Sequence, residues 1–257
     1  MLRSTLELYT QAARETGRGL ARSAPAMLAL VIAGVGLVLT KVVTTPLGFV
    51  GQFIHSLIEA GAIGWYLSLL GASTETSRPL RFSELRDRLG NYLSEVISVL
   101  FWYWLFALLV SAVAPAAFIT LLLISSAIFN PVPEIITDRG ERGMALFRSS
   151  TSFMQTNWPE WLIPHLAVGG ILAAWMQIFG TPLGNLSGYT QLATLFGPLF
   201  GFIKAGTLAG PPIGPWDALG ATLLTGFVHL VMLFRLSLYR KLDSGSRRTR
   251  AWRAKAA

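Results

Sequence analysis

The feature that most constrains this chain is a run of 38 residues, 96–133, that contains no Asp, Glu, Lys, Arg or His. A membrane-spanning helix needs about 20 mostly apolar residues to cross a hydrocarbon core about 30 Å thick, so the run is too long for one span and long enough for two. Pro115 lies near its middle, where proline favours a bend. The run therefore predicts a helical hairpin with spans near 96–113 and 116–132.

The composition of the whole chain indicates the same class of protein. Of its 257 residues, 53% are hydrophobic and only 13% are charged, and the mean hydropathy is +0.54. A soluble domain carries about 25% charged residues, which supply most of the polar surface that water requires. A soluble domain is thereby excluded, and the sequence predicts an all-α, polytopic integral membrane protein with about six transmembrane helices.

Four further apolar segments complete the predicted set of spans, near residues 23–40, 46–72, 161–179 and 218–238. The first of them lies between Arg22 and Lys41, and because no cleavage site follows it we expect an uncleaved anchor. Between the last two, residues 183–216 contain an apolar piece too short to span, and we expect a re-entrant or surface helix on the outer face. The resulting domain organisation is an amphipathic segment at 1–22, one transmembrane domain at 23–240 and a basic tail at 241–257.

The basic residues fall on one side of this topology. Six spans place both termini and the loops 73–95 and 134–160 on one face, and 19 of the 21 Lys and Arg lie there if Arg235 snorkels toward the tail. Only Lys41 and Lys204 lie opposite. The positive-inside rule then predicts cytoplasmic termini, most simply in a bacterial inner membrane. Because the basic residues are spread over four segments, they do not favour binding of nucleic acid.

Three of the cytoplasmic segments are amphipathic. Their apolar faces are formed by Leu2, Leu6, Tyr9 and Ala13, by Phe82, Leu85, Leu89, Tyr92 and Val96, and, after a turn at 138–140, by Met144, Phe147, Thr151, Met154 and Trp158. They are either simple lipid-facing elbows or a docking surface for a partner protein or anionic lipid. A surface of anionic lipid attracts each nearby basic residue by about 1 kcal/mol. The predicted contacts are Arg139, Arg142, Arg148, Arg240, Lys241, Arg247, Arg248, Arg250, Trp252 and Arg253.

One stretch, residues 133–158, carries a wider pattern. It reads Pro133-Glu134-Ile135-Ile136, then Ala145-Leu146-Phe147-Arg148-Ser149-Ser150, then Asn157-Trp158 ahead of a span. The pattern resembles the helical membrane domain that precedes some bacterial glycerophosphodiester phosphodiesterases, and the stand-alone relatives of that domain. The catalytic barrel of those enzymes has no counterpart here, because spans and loops use the whole chain. The resemblance therefore implies a six-helix membrane module without known chemistry of its own.

Five polar side chains in or near the spans are candidates for an intramembrane site. His55 and Glu59 are four residues apart and share a helix face, and a carboxylate at this depth suggests a proton or cation relay. A neutral Glu59 bonded to His55 or to another helix is the structural alternative. We also expect that His165, Gln177 and His229 can meet across the bundle as buried, hydrogen-bonded groups.

Other signals of catalysis are absent from the sequence. Three scattered histidines, no HExxH and no cysteine argue against a metal site, and no cofactor is expected. No phosphate-binding glycine loop and no serine nucleophile elbow are present, so no catalytic residue is assigned. An intramembrane lipid enzyme would need His55, Glu59, His165 and His229 in one cavity.

Two functions remain. The first is a non-catalytic integral membrane subunit that assembles with partner proteins and contacts them, or anionic lipid, through a basic cytoplasmic face. The alternative is a transporter or permease component in which Glu59 and His55 line a polar path. An enzyme is the less favoured class.

Overall fold

The computed structural model describes residues 2–75, 78–113, 118–178 and 215–244, and within these ranges it contains helices and no strand. The helices are α1 (Leu2–Leu20), α2 (Ala24–Thr44), α3 (Gly48–Glu75), α4 (Glu84–Asp87), α5 (Leu93–Val113), α6 (Phe118–Ile128), α7 (Val132–Arg139), α8 (Gly143–Ile178) and α9 (Pro215–Asp243). The all-α prediction is confirmed. The piece predicted as re-entrant lies outside these ranges, apart from the two residues that begin α9.

Two stretches of the described helices are long and apolar enough to cross a membrane. They are Ala24–Glu75, which contains α2 and α3, and Leu93–Val113, which is α5. The 21 residues of α2 rise about 31 Å, close to the thickness of a hydrocarbon core. Large apolar side chains such as Leu39 and Phe101 are exposed on these helices. Length, composition and exposure are consistent with a membrane protein.

The hairpin of α2 and α3 closes through a 3-10 turn at Thr45–Leu47. Gly48, the first residue of α3, has a φ of +58°, a conformation that glycine adopts at little cost. A Cβ on Gly51 would overlap the backbone of Thr44, so the two helices approach this closely only because position 51 has no side chain. The helix α3, which contains most of the span predicted to begin at 46, begins at 48.

The N-terminal helix α1 packs along the last helix, α9. Ala12 and Thr16 are buried in this contact, and a Cβ on Gly19 would lie 3.4 Å from the Leu233 side chain. Small residues thus let the two helix backbones approach closely. The predicted apolar face of α1 points elsewhere, since Leu6 is exposed.

The long helix α8 continues through two prolines. Pro164 has no N–H to donate to the carbonyl of Glu160, four residues earlier, and the Tyr9 hydroxyl of α1 donates to that carbonyl over 2.9 Å. A side chain from another helix therefore supplies the hydrogen bond that proline removes. The span predicted at 161–179 is the second half of this longer helix.

The loop between α3 and α5 folds back onto α3. Trp65 Nε1 donates to the Leu85 carbonyl over 2.7 Å, and Asn91 Nδ2 donates to Ser68 Oγ over 3.2 Å. A Cβ on Gly64 would lie 2.7 Å from the Asn91 carbonyl oxygen, so glycine is required for this contact. Regular helix in the loop is limited to α4.

The predicted hairpin at 96–132 is present in part. The helix α5 extends to residue 113, but α6 ends at Ile128, four residues before the predicted end, and a turn at Asn130 leads into α7. The helix α7 ends at Arg139, where Gly140 adopts a φ of +61° and donates its N–H to the Ile136 carbonyl over 2.9 Å. The chain therefore leaves the helix at Gly140, two residues after the start of the turn predicted at 138–140.

Candidate functional site: buried polar networks of the bundle

A buried ion pair joins α7 and α9. Arg235 Nε donates to Glu134 Oε1 over 2.6 Å, and Arg235 Nη2 donates to Glu134 Oε2 over 2.9 Å and to the Asn130 carbonyl over 2.7 Å. Both charged side chains are only 1% exposed. Two parallel charge-assisted bonds are the strongest geometry available to an arginine and a carboxylate, and they compensate part of the cost of removing both charges from water.

An aromatic wall from α8 completes this site. The Arg235 guanidinium carbon lies 5.3 Å from the centre of the Trp161 ring, within the range of a cation–π interaction. Trp161 Nε1 donates to Asn130 Oδ1 over 3.0 Å, and the His165 ring packs against the indole with 4.6 Å between ring centres. The His165 Nδ1–H donates to the Trp161 carbonyl. We call Asn130, Glu134, Trp161, His165 and Arg235 the Arg235 cluster.

The Arg235 cluster corrects one sequence-based prediction. Arg235 does not snorkel toward the tail, because it forms a buried ion pair with Glu134. It therefore no longer counts among the basic residues of the predicted cytoplasmic face. The sequence contained a usable signal: one acid in the apolar stretch that begins α7 and one base within the apolar part of α9. Opposite charges in two apolar segments are expected to pair.

A second network links the start of α2 with α3 and α9. His229 Nε2 lies 2.7 Å from Ser23 Oγ, His229 Nδ1 lies 2.9 Å from the Tyr66 hydroxyl, and all three residues are fully buried. Ser23 Oγ also donates to the Leu20 carbonyl over 3.2 Å. The arrangement that satisfies every group has Tyr66 donating to Nδ1 and Nε2–H donating to Ser23. The imidazole then cannot act as a base toward the serine, and the network serves as a helix junction.

The predicted pair His55 and Glu59 lies on one face of α3, as expected, and both side chains are buried. His55 Nδ1 is 3.4 Å from Thr40 Oγ1 of α2. The pair therefore faces the protein interior at the α2–α3 contact.

The five predicted intramembrane residues do not form a common site. His165 belongs to the Arg235 cluster, His229 to the Ser23–Tyr66 junction, and His55 with Glu59 to the α2–α3 contact. The side chain of Gln177 lies outside the described part of α8. Among the residues that the structure describes, no group of three His, Asp or Glu side chains is arranged to hold a metal ion.

Three of the predicted cytoplasmic contact residues bind other parts of the chain. Arg139 Nη2 donates to both Asp243 oxygens over 2.7 Å, Arg240 Nε donates to Asp138 over 2.7 Å, and Lys241 Nζ donates to Glu15 over 2.6 Å. The bonded Asp243 carboxylate raises the pKa of Arg139. These ion pairs hold the ends of α7 and α9 together and connect α9 to α1.

The other predicted contact residues divide into two groups. Arg142 and Arg148 are exposed and form no ion pair with any residue in the described ranges. The tail residues Arg247, Arg248, Arg250, Trp252 and Arg253 lie outside those ranges.

The stretch 133–158, which carried the family resemblance, surrounds these networks. Pro133, Glu134 and Leu146 are buried, and Ser150 Oγ donates to the Ile128 carbonyl over 2.8 Å. Asn157 is also buried in α8. Much of the pattern is thus explained by packing among α6, α7 and α8.

Comparison with known proteins gives no match: no family model, no curated protein and no solved structure matches the chain. The function must therefore be argued from the sites themselves.

Proposed function

We propose that the chain is a six-span membrane protein with cytoplasmic termini, located in a bacterial inner membrane, and that it acts as a non-catalytic subunit of a membrane complex. Its basic cytoplasmic face would contact partner proteins or anionic lipid. The resemblance of 133–158 to a membrane module without chemistry of its own supports the same role.

The Arg235 cluster carries this proposal. Arg235 and Glu134 are fully buried and form an ion pair with each other. His229 is enclosed by Ser23 and Tyr66. Side chains engaged in this way hold helices in position. The arrangement supports a scaffold better than an enzyme.

The orientation is tested by labelling single cysteines, since the natural chain contains no cysteine that would interfere. Ser244→Cys follows α9, on the face proposed as cytoplasmic, and Thr45→Cys lies in the α2–α3 turn on the opposite face. In intact cells we expect a membrane-impermeant maleimide to label Thr45→Cys and to spare Ser244→Cys until the membrane is opened. The reverse pattern would invert the proposed topology.

The role as a subunit is tested by crosslinking in native membranes followed by gentle purification. We expect defined partner proteins to be crosslinked to the chain, and we expect a variant that replaces exposed Arg142 and Arg148 by Gln to recover fewer of them. A protein that is monomeric and crosslinks to nothing would contradict the proposal.

The second candidate, a transporter component, rests on the burial of His55 and Glu59 between two helices of the predicted membrane domain. If they line a polar path, Glu59→Gln and His55→Ala will abolish an ion-dependent transport or growth phenotype, whereas Ser56→Ala on the same helix will retain it. Unchanged phenotypes in both variants would remove this candidate.

A further inference from the structure

An apolar groove runs between α2 and α3, and the loop that precedes α5 borders it. It has a volume of about 350 Å³, and its walls include Ala33, Gly36, Gly61 and Ala62. Thr40 lies along its length and Leu89 closes one end, the end that faces the cytoplasm in the proposed topology. The wall positions on each helix span seven residues, which corresponds to a groove about 10 Å long.

The glycines of this groove do not bring helices into contact. A Cβ on Gly36 would meet no atom within 4 Å, and a Cβ on Gly61 would meet only Leu93 Cδ1, at 3.8 Å. Gly51 and Gly64, by contrast, are required by the close approach of backbone. The small residues at 36 and 61 therefore maintain an open space on the side of the hairpin.

A basic and apolar elbow lies at the closed end of the groove. Residues 78–92 contain four arginines and two acidic residues. Phe82 and Leu89 are 64% and 66% exposed, and Arg86 is exposed without an ion pair to any residue described. Exposed aromatic and aliphatic side chains beside arginine are typical of segments that lie in the headgroup region of a membrane.

We propose that the elbow and the groove together form a binding site for an anionic phospholipid of the cytoplasmic leaflet, with the phosphate beside Arg86 and an acyl chain along Gly36 and Gly61. The site rests on the topology given under the proposed function. Charge complementarity selects an anionic headgroup, because the four arginines of the elbow outnumber its acids. The apolar groove that begins at Leu89 then accepts the chain of the same molecule.

The test uses the full-length protein in nanodiscs of phosphatidylcholine and phosphatidylglycerol, extracted gently and examined by native mass spectrometry for bound phosphatidylglycerol. Arg86→Gln should weaken retention about fivefold, the equivalent of about 1 kcal/mol. Gly36→Leu should fill the groove and reduce retention to a similar degree. The matched controls are Arg14→Gln, an exposed arginine of α1 outside the predicted contact residues, and Gly226→Leu, whose Cβ also meets no atom within 4 Å.

Each outcome decides the matter. Loss of phosphatidylglycerol in Arg86→Gln and Gly36→Leu but not in the controls supports the site, and Arg86→Gln alone tests it if Gly36→Leu fails to fold. Equal loss in Arg14→Gln, or equal retention of phosphatidylcholine by the natural protein, would overturn the site and leave the crosslinking test of the proposed function unaffected. If the natural protein retains no phosphatidylglycerol, the site and the lipid-contact part of the proposed function both fail.

Discussion

Arg235 and Glu134 share two parallel hydrogen bonds, 2.6 and 2.9 Å long, although 101 positions separate them in the sequence and each is 1% exposed. Neither charge could remain buried in the protein interior without the other. The pair therefore fixes the position of α7 relative to α9.

Removal of one member of this pair should be strongly destabilising. We expect Glu134→Leu to lower the free energy of unfolding by about 3–5 kcal/mol, because the Arg235 charge stays buried without its partner. The double variant Glu134→Leu/Arg235→Met should regain much of that loss. Denaturant unfolding in detergent micelles measures both, and Glu15→Gln, which breaks the more exposed pair with Lys241, should cost less than about 1 kcal/mol. A double variant as unstable as the single one would contradict the expectation.

The Ser23–His229–Tyr66 junction should be sensitive to loss of a single hydroxyl. Tyr66→Phe removes the donor to His229 Nδ1 and leaves a buried acceptor unsatisfied, which should cost about 1–3 kcal/mol of unfolding free energy. The control is Ser111→Ala, whose exposed hydroxyl bonds only the Leu108 carbonyl, and it should stay within about 0.5 kcal/mol of the natural protein. Thermal melting measures both variants. An equal loss of stability in Tyr66→Phe and Ser111→Ala would contradict the prediction.

Two glycines of the α2–α3 hairpin should respond to alanine in opposite ways. Gly64→Ala places a Cβ 2.7 Å from the Asn91 carbonyl oxygen and should destabilise by about 1–3 kcal/mol as the loop is displaced. Gly36→Ala meets no atom and should stabilise α2 by up to about 1 kcal/mol. Unfolding midpoints measured in the same detergent give the comparison. If Gly64→Ala is as stable as Gly36→Ala, the loop does not pack on α3 as described.

Glu84 should make the loop between α3 and α5 sensitive to acid. Burial raises the pKa of this carboxyl, but the Arg81 N–H and the Arg88 and Arg78 side chains outweigh burial and lower the pKa below its usual 4.5. A carboxyl whose pKa is lower in the folded state than in the unfolded state stabilises the folded protein above pH 4.5. That stabilisation is lost as the pH falls through the folded-state pKa.

Melting temperatures at about pH 6 and about pH 3 check this pH dependence. The natural protein should lose more stability on acidification than Glu84→Gln, which has no carboxyl to protonate. Asp87→Asn, a substitution at an exposed neighbour, should lose as much stability on acidification as the natural protein does. Equal acid sensitivity in the natural protein and Glu84→Gln would contradict the prediction.

The approximate positions of α2, α3 and α5 could be predicted from their apolar runs. Their exact ends could not, because α2 continues through Lys41 and α5 begins before Glu95. The path of α8 could not, since Pro159 and Pro164 ordinarily mark a helix boundary. The helix continues past the second proline because the Tyr9 hydroxyl satisfies the freed carbonyl of Glu160. That contact comes from a helix 151 positions away, and local sequence contains no information about it.

The same limit applies to the candidate sites. The His55–Glu59 pairing on one face followed from helical periodicity alone. The partners of Arg235, His165 and His229 depend on how separate helices cross, so the predicted meeting of the two histidines was replaced by two distinct networks. Arg139, Arg240 and Lys241 were expected to face outward, and they pair within the chain because the ends of α7 and α9 lie together beside α1.

The contact between α1 and α9 has a consequence for biosynthesis. The helix α1 is synthesised long before the part of α9 that it packs against, so the small-residue face of α1 stays without its partner until the residues around Leu233 have been made. The contact between α1 and α9 can therefore form only after synthesis of α9. A chain truncated before α9 would leave that face of α1 exposed.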